Sequence, residues 1–459
     1  MPVSAANIAS WYDWRAGRPC RSARLSLWLT VALGSISLTP AHAQAPLATA
    51  QDVRGESIDD FYAARNGRLL WFDHLGPSGA APQLLLDLLL SAHADGLNPD
   101  TYRSRDLDQA LFDAESGDPD AIHYADRLLS EMFIRYVADL RRAPQIDMIW
   151  VDAELRPSPP SPHRLLESAA SAPSLEAFVA NMRWMNPIYA GLRRAMVQGH
   201  RDGDAPSDLL RLNLERARLL APASGKYVVV NIAAAQLSMI EDGRTVDTMR
   251  VVVGKPVHPT PMMAALIRFT SLNPYWNVPA DLAAERVAPN VVRDGKAYLD
   301  AKGYQLLSGW DDNATVVSPD TVDWAAVVAR RIDVRLRQLP GPANAMGAMK
   351  FMFPNAQGIY LHDTPERKLL SEEARMFSGG CVRLEDAARL AKWLYRGTPP
   401  TTRSALPEQR VDLPAPVPVY LTYLTAIPTD GGISFLPDVY NRDRAALAKL
   451  DGDRIAASR

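Results

Sequence analysis

From Gln44 to about Ala217 apolar residues recur every three or four positions, the spacing of one face of a helix. Leu84, Leu85, Leu88 and Leu89 form one such group; Leu128, Leu129, Met132, Ile134, Tyr136, Val137 and Leu140 form another. Asp95-Gly96-Leu97-Asn98-Pro99 carries the residues that stop a helix and turn the chain, and the proline-rich run Arg156 to Pro162 breaks the region in two. A further helical run is expected over Leu175 to Met196, and Leu209 to Leu220 leads into the next domain. At Lys226 the period changes. Tyr227 to Ile232 and Gln236 to Ile240 are β-rich, Asp242-Gly243 is a hairpin signal, and Val246 to Val253 reads as the return strand. More strands are expected at Ile267 to Leu272, Met349 to Phe353, Gly358 to His362 and Val417 to Thr425. Short strands parted by turns predict a compact sandwich or barrel. Asp281 to Val292 and Trp324 to Leu336 interrupt them with helical spacing, so about 280–345 is expected to be an insertion that folds over the barrel as a lid.

The fold class is therefore α+β: a helical scaffold over 44–217, a β-rich unit over 218–428 and a helical tail over 429–459 that docks back on the scaffold. Residues 1–43 resemble an export signal. Arg15, Arg18, Arg21 and Arg24 precede an apolar run from Leu25 to Leu38, and Ala41-His42-Ala43 is a small-x-small cleavage site. Such a signal implies export to the periplasm, with an uncleaved membrane anchor as the alternative. The 459-residue chain has a formal net charge of -2, which offers no electrostatic case for nucleic acid. His74, His93, His123, His163 and His200 are scattered without metal spacing, and neither a metal nor another cofactor is expected.

Of the two cysteines, cleavage removes Cys20 and leaves Cys381 alone. An unpaired thiol in an oxidising compartment is a liability unless it is used. His362 lies nineteen positions upstream on an expected strand, where it can act as general base and then general acid. Phe377-Ser378-Gly379-Gly380-Cys381 is a small-residue turn, and Leu384, Ala387, Ala388, Ala391 and Leu394 continue at helical spacing. The cysteine is thus expected just before a helix N-terminus, whose dipole favours a thiolate. The amides of Cys381, Gly380 and Gly379 are the candidate oxyanion donors. Either Asp363 or a backbone carbonyl can orient the imidazole; neighbours on a strand point to opposite faces, which weakens the case for Asp363.

Tyr-Leu-His362-Asp-Thr-Pro followed by Phe-Ser-Gly-Gly-Cys381-Val-Arg383 resembles the signature of the L,D-transpeptidase (YkuD) family. The likeness extends through Leu-Asn-Leu-Glu-Arg at 212–216, Val-Gly-Lys-Pro at 253–256, Asn273-Pro-Tyr-Trp276-Asn277-Val-Pro, Asn344 in Leu-Pro-Gly-Pro-Ala-Asn-Ala and Lys350-Phe-Met-Phe-Pro-Asn355. Asp95 to Asp100 and Arg135 to Leu140 are similar to the scaffold of the large YcbB-like branch. That branch usually adds a peptidoglycan-binding-like domain, for which roughly 198–209 leaves no room. Gly379 stands where the commoner signature has histidine.

The resemblance implies peptidoglycan stem peptides as partners. A tetrapeptide acylates the thiol and releases D-Ala, and the diaminopimelate amine of a second stem resolves the thioester into a 3-3 cross-link. It also implies carbapenems as inhibitors and leaves room for wall-synthesis partners. Water or a D-amino acid as acceptor is the alternative, and a noncatalytic wall-binding scaffold is the second. Arg383 organises the turn or binds a substrate carboxylate. Tyr360 and Ser378 line the pocket or pack the core, and Trp276, Asn277 and Asn344 bind substrate or shape turns.

Overall fold

The computed structural model describes residues 57–457 except 74–75, 78, 145, 202–207, 312 and 430–431. The export-signal expectation, Cys20 and His74 lie outside the described residues.

The N-terminal part is helical, from Ile58–Ala64 through Ala81–Leu90, Ser104–Ala114 and Pro119–Leu140 to Pro162–Ala170, Leu175–Ala180 and Pro187–Arg201. Side chains cap several starts: Asp118, Ser161 and Ser174 each accept an otherwise unpaired amide three residues on. Gly96 ends a helical turn in the left-handed region, at φ 73°. The run expected from Leu175 to Met196 is two helices, not one. Met182 takes a positive φ of 46°, and Asn186 presents a side-chain oxygen to Tyr189 N–H just before Pro187 restarts the helix. These helices bury one core around Trp71, Phe133, Tyr136 and Leu85.

The second part is a closed barrel. Its strands are β1 (Lys226–Asn231), β2 (Gln236–Glu241), β3 (Arg244–Gly254), β4 (Met263–Leu272), β5 (Met349–Met352), β6 (Leu361–His362), β7 (Val382–Leu384) and β8 (Gln409–Thr422). They follow the order β5-β6-β7-β3-β2-β1-β8-β4, and β4 pairs back to β5. Closure leaves none of these eight strands as an unpaired edge. Asp242 and Gly243, at φ 48° and 75°, make the two-residue hairpin turn between β2 and β3 that their residue types require. Val228, Val230, Val251, Ile267, Leu361, Val382 and Leu421 fill the interior together with Leu390 and Leu394 of the helix Ala387–Leu394.

Three features join the two parts. A short strand, Ile149–Trp150, leaves the helical region and pairs parallel with β4. A C-terminal hairpin, Ala426–Thr429 with Gly432–Phe435, packs on the helices, and Ala426 belongs to the helical core. The final helix, Arg442–Ala457, lies against the helix Asp208–Arg218. Sequence periodicity indicated neither short strand nor hairpin, because two to four residues carry too little alternation to register.

The 280–345 segment has its own core, built on Leu282, Val287, Val291, Leu306 and Leu336. Helical turns cover 280–294, and Ala283–Val287 winds as a π-helix. The expected helix over Trp324 to Leu336 is corrected: only Trp324–Val328 is helical, and Arg335–Gln338 is the strand that pairs with Trp276–Val278 and Tyr304–Leu307.

Candidate active site

β5, β6 and β7 lie side by side, so their register decides which residues share a face. Lys350 is opposite His362, and His362 is opposite Arg383. The alternate positions Phe351, Leu361 and Val382 turn into the barrel core, which leaves Lys350, His362 and Arg383 in a row on the other face. Cys381 enters β7 two residues before Arg383, so the same alternation brings its side chain to that face. Among the described residues no hydrogen bond joins the thiol to the imidazole. The thiol meets the Gly358 carbonyl at 3.5 Å, and Tyr360 N–H is directed at the sulfur.

His362 is 2% exposed. Its Nδ1 donates to the Asp363 carbonyl at 2.6 Å, so the neutral ring holds its proton there and presents a lone pair on Nε2. The carboxylate of Asp363 is occupied elsewhere, accepting from Ala348 N–H at 2.9 Å and Arg367 Nη2 at 2.6 Å. Burial, then the Arg383 guanidinium, pushes the imidazole pKa down to about 3. Burial also pushes the Cys381 thiol up, against smaller lowering effects from Tyr360 N–H, Arg383 and Lys350. The resting pair is therefore neutral thiol and neutral imidazole.

That corrects the thiolate expectation, and the cause is local structure. Cys381 is followed by β7, and the helix begins only at Ala387, where Asp386 caps Arg389 N–H at 2.9 Å. Leu384, read as part of the helical stripe, is a strand residue. The helix terminus is thus displaced from the sulfur, and its Arg389 amide is already taken by Asp386.

Hydroxyl groups hold the nucleophile turn. Ser378 Oγ donates to the Cys381 carbonyl at 2.6 Å and accepts Gly380 N–H at 3.0 Å. Ser378 therefore staples the turn, and the Gly380 amide is spent on it. Of the three candidate oxyanion donors, Gly379 and Cys381 keep N–H groups that no acceptor takes among the described residues. From outside the turn, Thr260 Oγ1 donates to the Gly380 carbonyl at 2.7 Å. Gly380, at φ 119°, sits in a region closed to most side chains.

The remaining candidates divide. Arg383 pairs with Glu366 and is nearly buried, close enough to bias both reacting groups. Lys350 pairs with Glu408 at 3.0 Å and lies 5.8 Å from the Tyr360 ring centre. Trp276 and Asn277 belong to the strand that roots the 280–345 segment, and Trp276 meets Tyr304 at 6.3 Å between ring centres. Asn344 is buried, donating to the carbonyls of Pro274 and Leu339 at 3.0 and 2.9 Å, so its side chain is engaged in shaping a turn.

The 280–345 segment touches the nucleophile turn. A Cβ on Gly379 would lie 2.7 Å from Leu282 Cδ1, and Arg286 Nη2 donates to the Phe377 carbonyl at 2.9 Å. Glu285 pairs with Lys255 and takes the His258 Nε2 contact at 3.1 Å, while His258 Nδ1 lies 3.5 Å from Asp281. Thr260, Lys350, Leu282 and His258 had no legible role in the sequence. Lys350 and the 253–256 run were visible only as part of motifs, and the partners that give them meaning are distant in the chain.

Comparison with known proteins adds the decisive likeness. The model of the L,D-transpeptidase catalytic domain, YkuD, matches residues 225–411, and that of a Scaffold domain matches residues 56–196. Residues 225–411 thus form an L,D-transpeptidase catalytic domain of the YkuD family, preceded by a Scaffold domain. A Haemophilus influenzae protein provisionally named an L,D-transpeptidase is 29% identical over 408 residues, covering 86% of this chain and 80% of its own. Among solved structures, an L,D-transpeptidase from Mycobacterium smegmatis matches at 16% identity over 43% of this chain and 58% of its own, with a TM-score of 0.21. L,D-transpeptidase 3 from Mycobacterium tuberculosis, in complex with a faropenem-derived adduct, matches at 15% identity over 44% of this chain and 60% of its own, also with a TM-score of 0.21. The chain thus spans less than two thirds of either solved protein, and neither likeness is close enough to bear on the site.

Proposed function

We propose that this L,D-transpeptidase joins peptidoglycan stem peptides by 3-3 cross-links through a thioester on Cys381. The observation that carries the proposal is the row on β5, β6 and β7. Cys381 and the free Nε2 of His362 come to one face there, beside the unused amides of Gly379 and Cys381.

The opposed pKa shifts make proton transfer before attack unfavourable, by about 1.4 kcal/mol for each unit of separation. His362 Nε2 therefore takes the thiol proton as the sulfur attacks the carbonyl after the third stem residue. The oxyanion that develops is received by the N–H groups of Gly379 and Cys381. Arg383 and Lys350 oppose the imidazolium but favour the anion, so their effects partly cancel across the ion pair.

Collapse breaks the peptide bond. The D-Ala amine takes the proton from His362 and leaves, and the acyl group stays on sulfur. The side-chain amine of diaminopimelate on a second stem attacks the thioester, gives its proton to Nε2, and the thiol is restored. The 280–345 segment, docked through Leu282 and Arg286, keeps water from the thioester while it waits. Carbapenems acylate the same sulfur, and residues 1–43 export the chain to the periplasm.

The test is incubation with a disaccharide tetrapeptide, followed by mass spectrometry with Cys381→Ala as control. A 3-3 dimer and free D-Ala support the proposal. Tripeptide without dimer assigns water as the acceptor, and unchanged turnover in Cys381→Ala removes the sulfur from the reaction.

A further inference from the structure

Thr260 is completely buried between β3 and β4 and reaches two backbone groups of the active-site loops. Its hydroxyl accepts Gly254 N–H at 2.9 Å, which commits one lone pair and frees its proton to go to the Gly380 carbonyl at 2.7 Å. That carbonyl belongs to the peptide unit whose amide is Cys381 N–H. In a trans peptide the C=O and N–H point in opposite directions, and the chain has no cis bond among the described residues. Fixing the oxygen on Thr260 therefore aims the Cys381 N–H to the other side of the plane, the side away from Thr260. A glycine pair makes the restraint necessary, because Gly379 and Gly380 leave this plane free to rotate.

Thr260 is itself held by the C-terminal tail. Arg442 Nη2 donates to its carbonyl at 2.9 Å. Tyr440 Oη donates to the Gly254 carbonyl and receives Thr260 N–H at 3.5 Å. Gly254 must be glycine for this closure, since a Cβ there would fall 2.1 Å from the His258 carbonyl.

We infer that Thr260 is a positioning residue for transpeptidation: through the Gly380 carbonyl it orients the Cys381 amide as an oxyanion donor, and Tyr440 of the tail supports it. This inference rests on the proposal that Cys381 is the nucleophile. It predicts a loss in the acyl-transfer step that leaves the thiol's own reactivity untouched. Loss of an oxyanion donor costs about 100- to 1,000-fold in kcat, and a misaimed one costs less, on the order of 10- to 100-fold.

The experiment compares wild type, Thr260→Val, Thr260→Ser and Tyr440→Phe. Acylation by imipenem is followed by mass spectrometry, turnover of the tetrapeptide as kcat and KM, and alkylation of Cys381 by iodoacetamide, a displacement that forms no oxyanion. Thr260→Val is expected to lose kcat and imipenem acylation together, with KM and the alkylation rate within about threefold of wild type. Thr260→Ser, which retains the hydroxyl, recovers most of the rate. Tyr440→Phe shifts the same two rates by a smaller factor and carries the test if Thr260→Val does not fold. Equal acylation in wild type and both hydroxyl-deleted variants overturns the inference, as does a loss of alkylation parallel to the loss of acylation. A wild type that alkylates but never acylates overturns the nucleophile assignment as well, which separates the two failures.

Discussion

His362 sits against the barrel wall with its second nitrogen tied to a backbone carbonyl, and burial with Arg383 holds its pKa near 3. An unfolded chain would protonate that ring near pH 6.5, its ordinary value. Below pH 6.5 the unfolded state therefore binds a proton that the folded state refuses. Stability is full above about 6.5 and falls as pH drops toward 3, by about 1.4 kcal/mol per pH unit from this one group. Urea denaturation between pH 4.5 and 7.5 should show that slope, and His362→Gln should flatten it; a parallel slope in the variant would assign the effect to other groups. Cys381 gives the complementary prediction. With its pKa raised by burial, it should alkylate with iodoacetamide more slowly at pH 7 than a simple alkyl thiol and still be accelerating at pH 9. A titration midpoint below pH 8 would mean a preformed thiolate. The sequence singled out both residues but expected a thiolate, where burial raises the pKa of the thiol. Charge depends on desolvation and on Arg383, which comes opposite His362 only through strand register.

At the scale of elements, the helix Ala387–Leu394 was legible and its relation to the cysteine was not. Its apolar stripe is plain, yet three residues of strand stand between it and the thiol, because β7 must reach both β3 and β6 before the chain can turn. The 280–345 segment illustrates the same limit. Arg335–Gln338 has helical neighbours in sequence and a strand's partners in space, and the partners prevail. Its docking is polar as well as apolar. Glu285 is held to about 2 by hydrogen bonds from Lys255 and then His258, so these pairs persist above about pH 4.5 and are lost as pH falls toward 2. Exposed pairs of this kind contribute about 0.2–1 kcal/mol each. Glu285→Gln should therefore leave the melting temperature nearly unchanged while speeding hydrogen exchange over 280–294. Unaltered exchange would show that Leu282 and Arg286 hold the segment without it.

The whole molecule is joined by contacts that no local pattern announces. Arg216, its side chain 2% exposed, meets Asp443 of the last helix at 2.5 Å, and Asp443 also accepts from Thr425 Oγ1 at 2.8 Å. Thr425 in turn exchanges hydrogen bonds with Asn213 at 2.8 and 3.0 Å. Removing the carboxylate strands a buried guanidinium, so Asp443→Ala should cost about 3–5 kcal/mol in denaturant unfolding. A cost under 1 kcal/mol would mean that Arg216 finds another partner or reaches water. The tail thus serves the barrel, holding Thr260 through Tyr440 and Arg442, as much as the helix Asp208–Arg218 on which it packs.

The sequence by itself determined the change from helical to strand period at Lys226 and the Asp242-Gly243 turn, and it singled out His362 and Cys381 as candidates. Each depends on a residue's own conformational preference or on spacing within a few positions. Only the tertiary structure decided that the sheet closes on itself, that the site rests as a neutral pair, that Ser378 consumes the Gly380 amide and that Thr260 holds its carbonyl. Those outcomes are set by burial, by strand register, by the conformation of the glycine turn and by a hydrogen bond between Thr260 and Gly380, residues distant in the chain that meet only when the barrel closes.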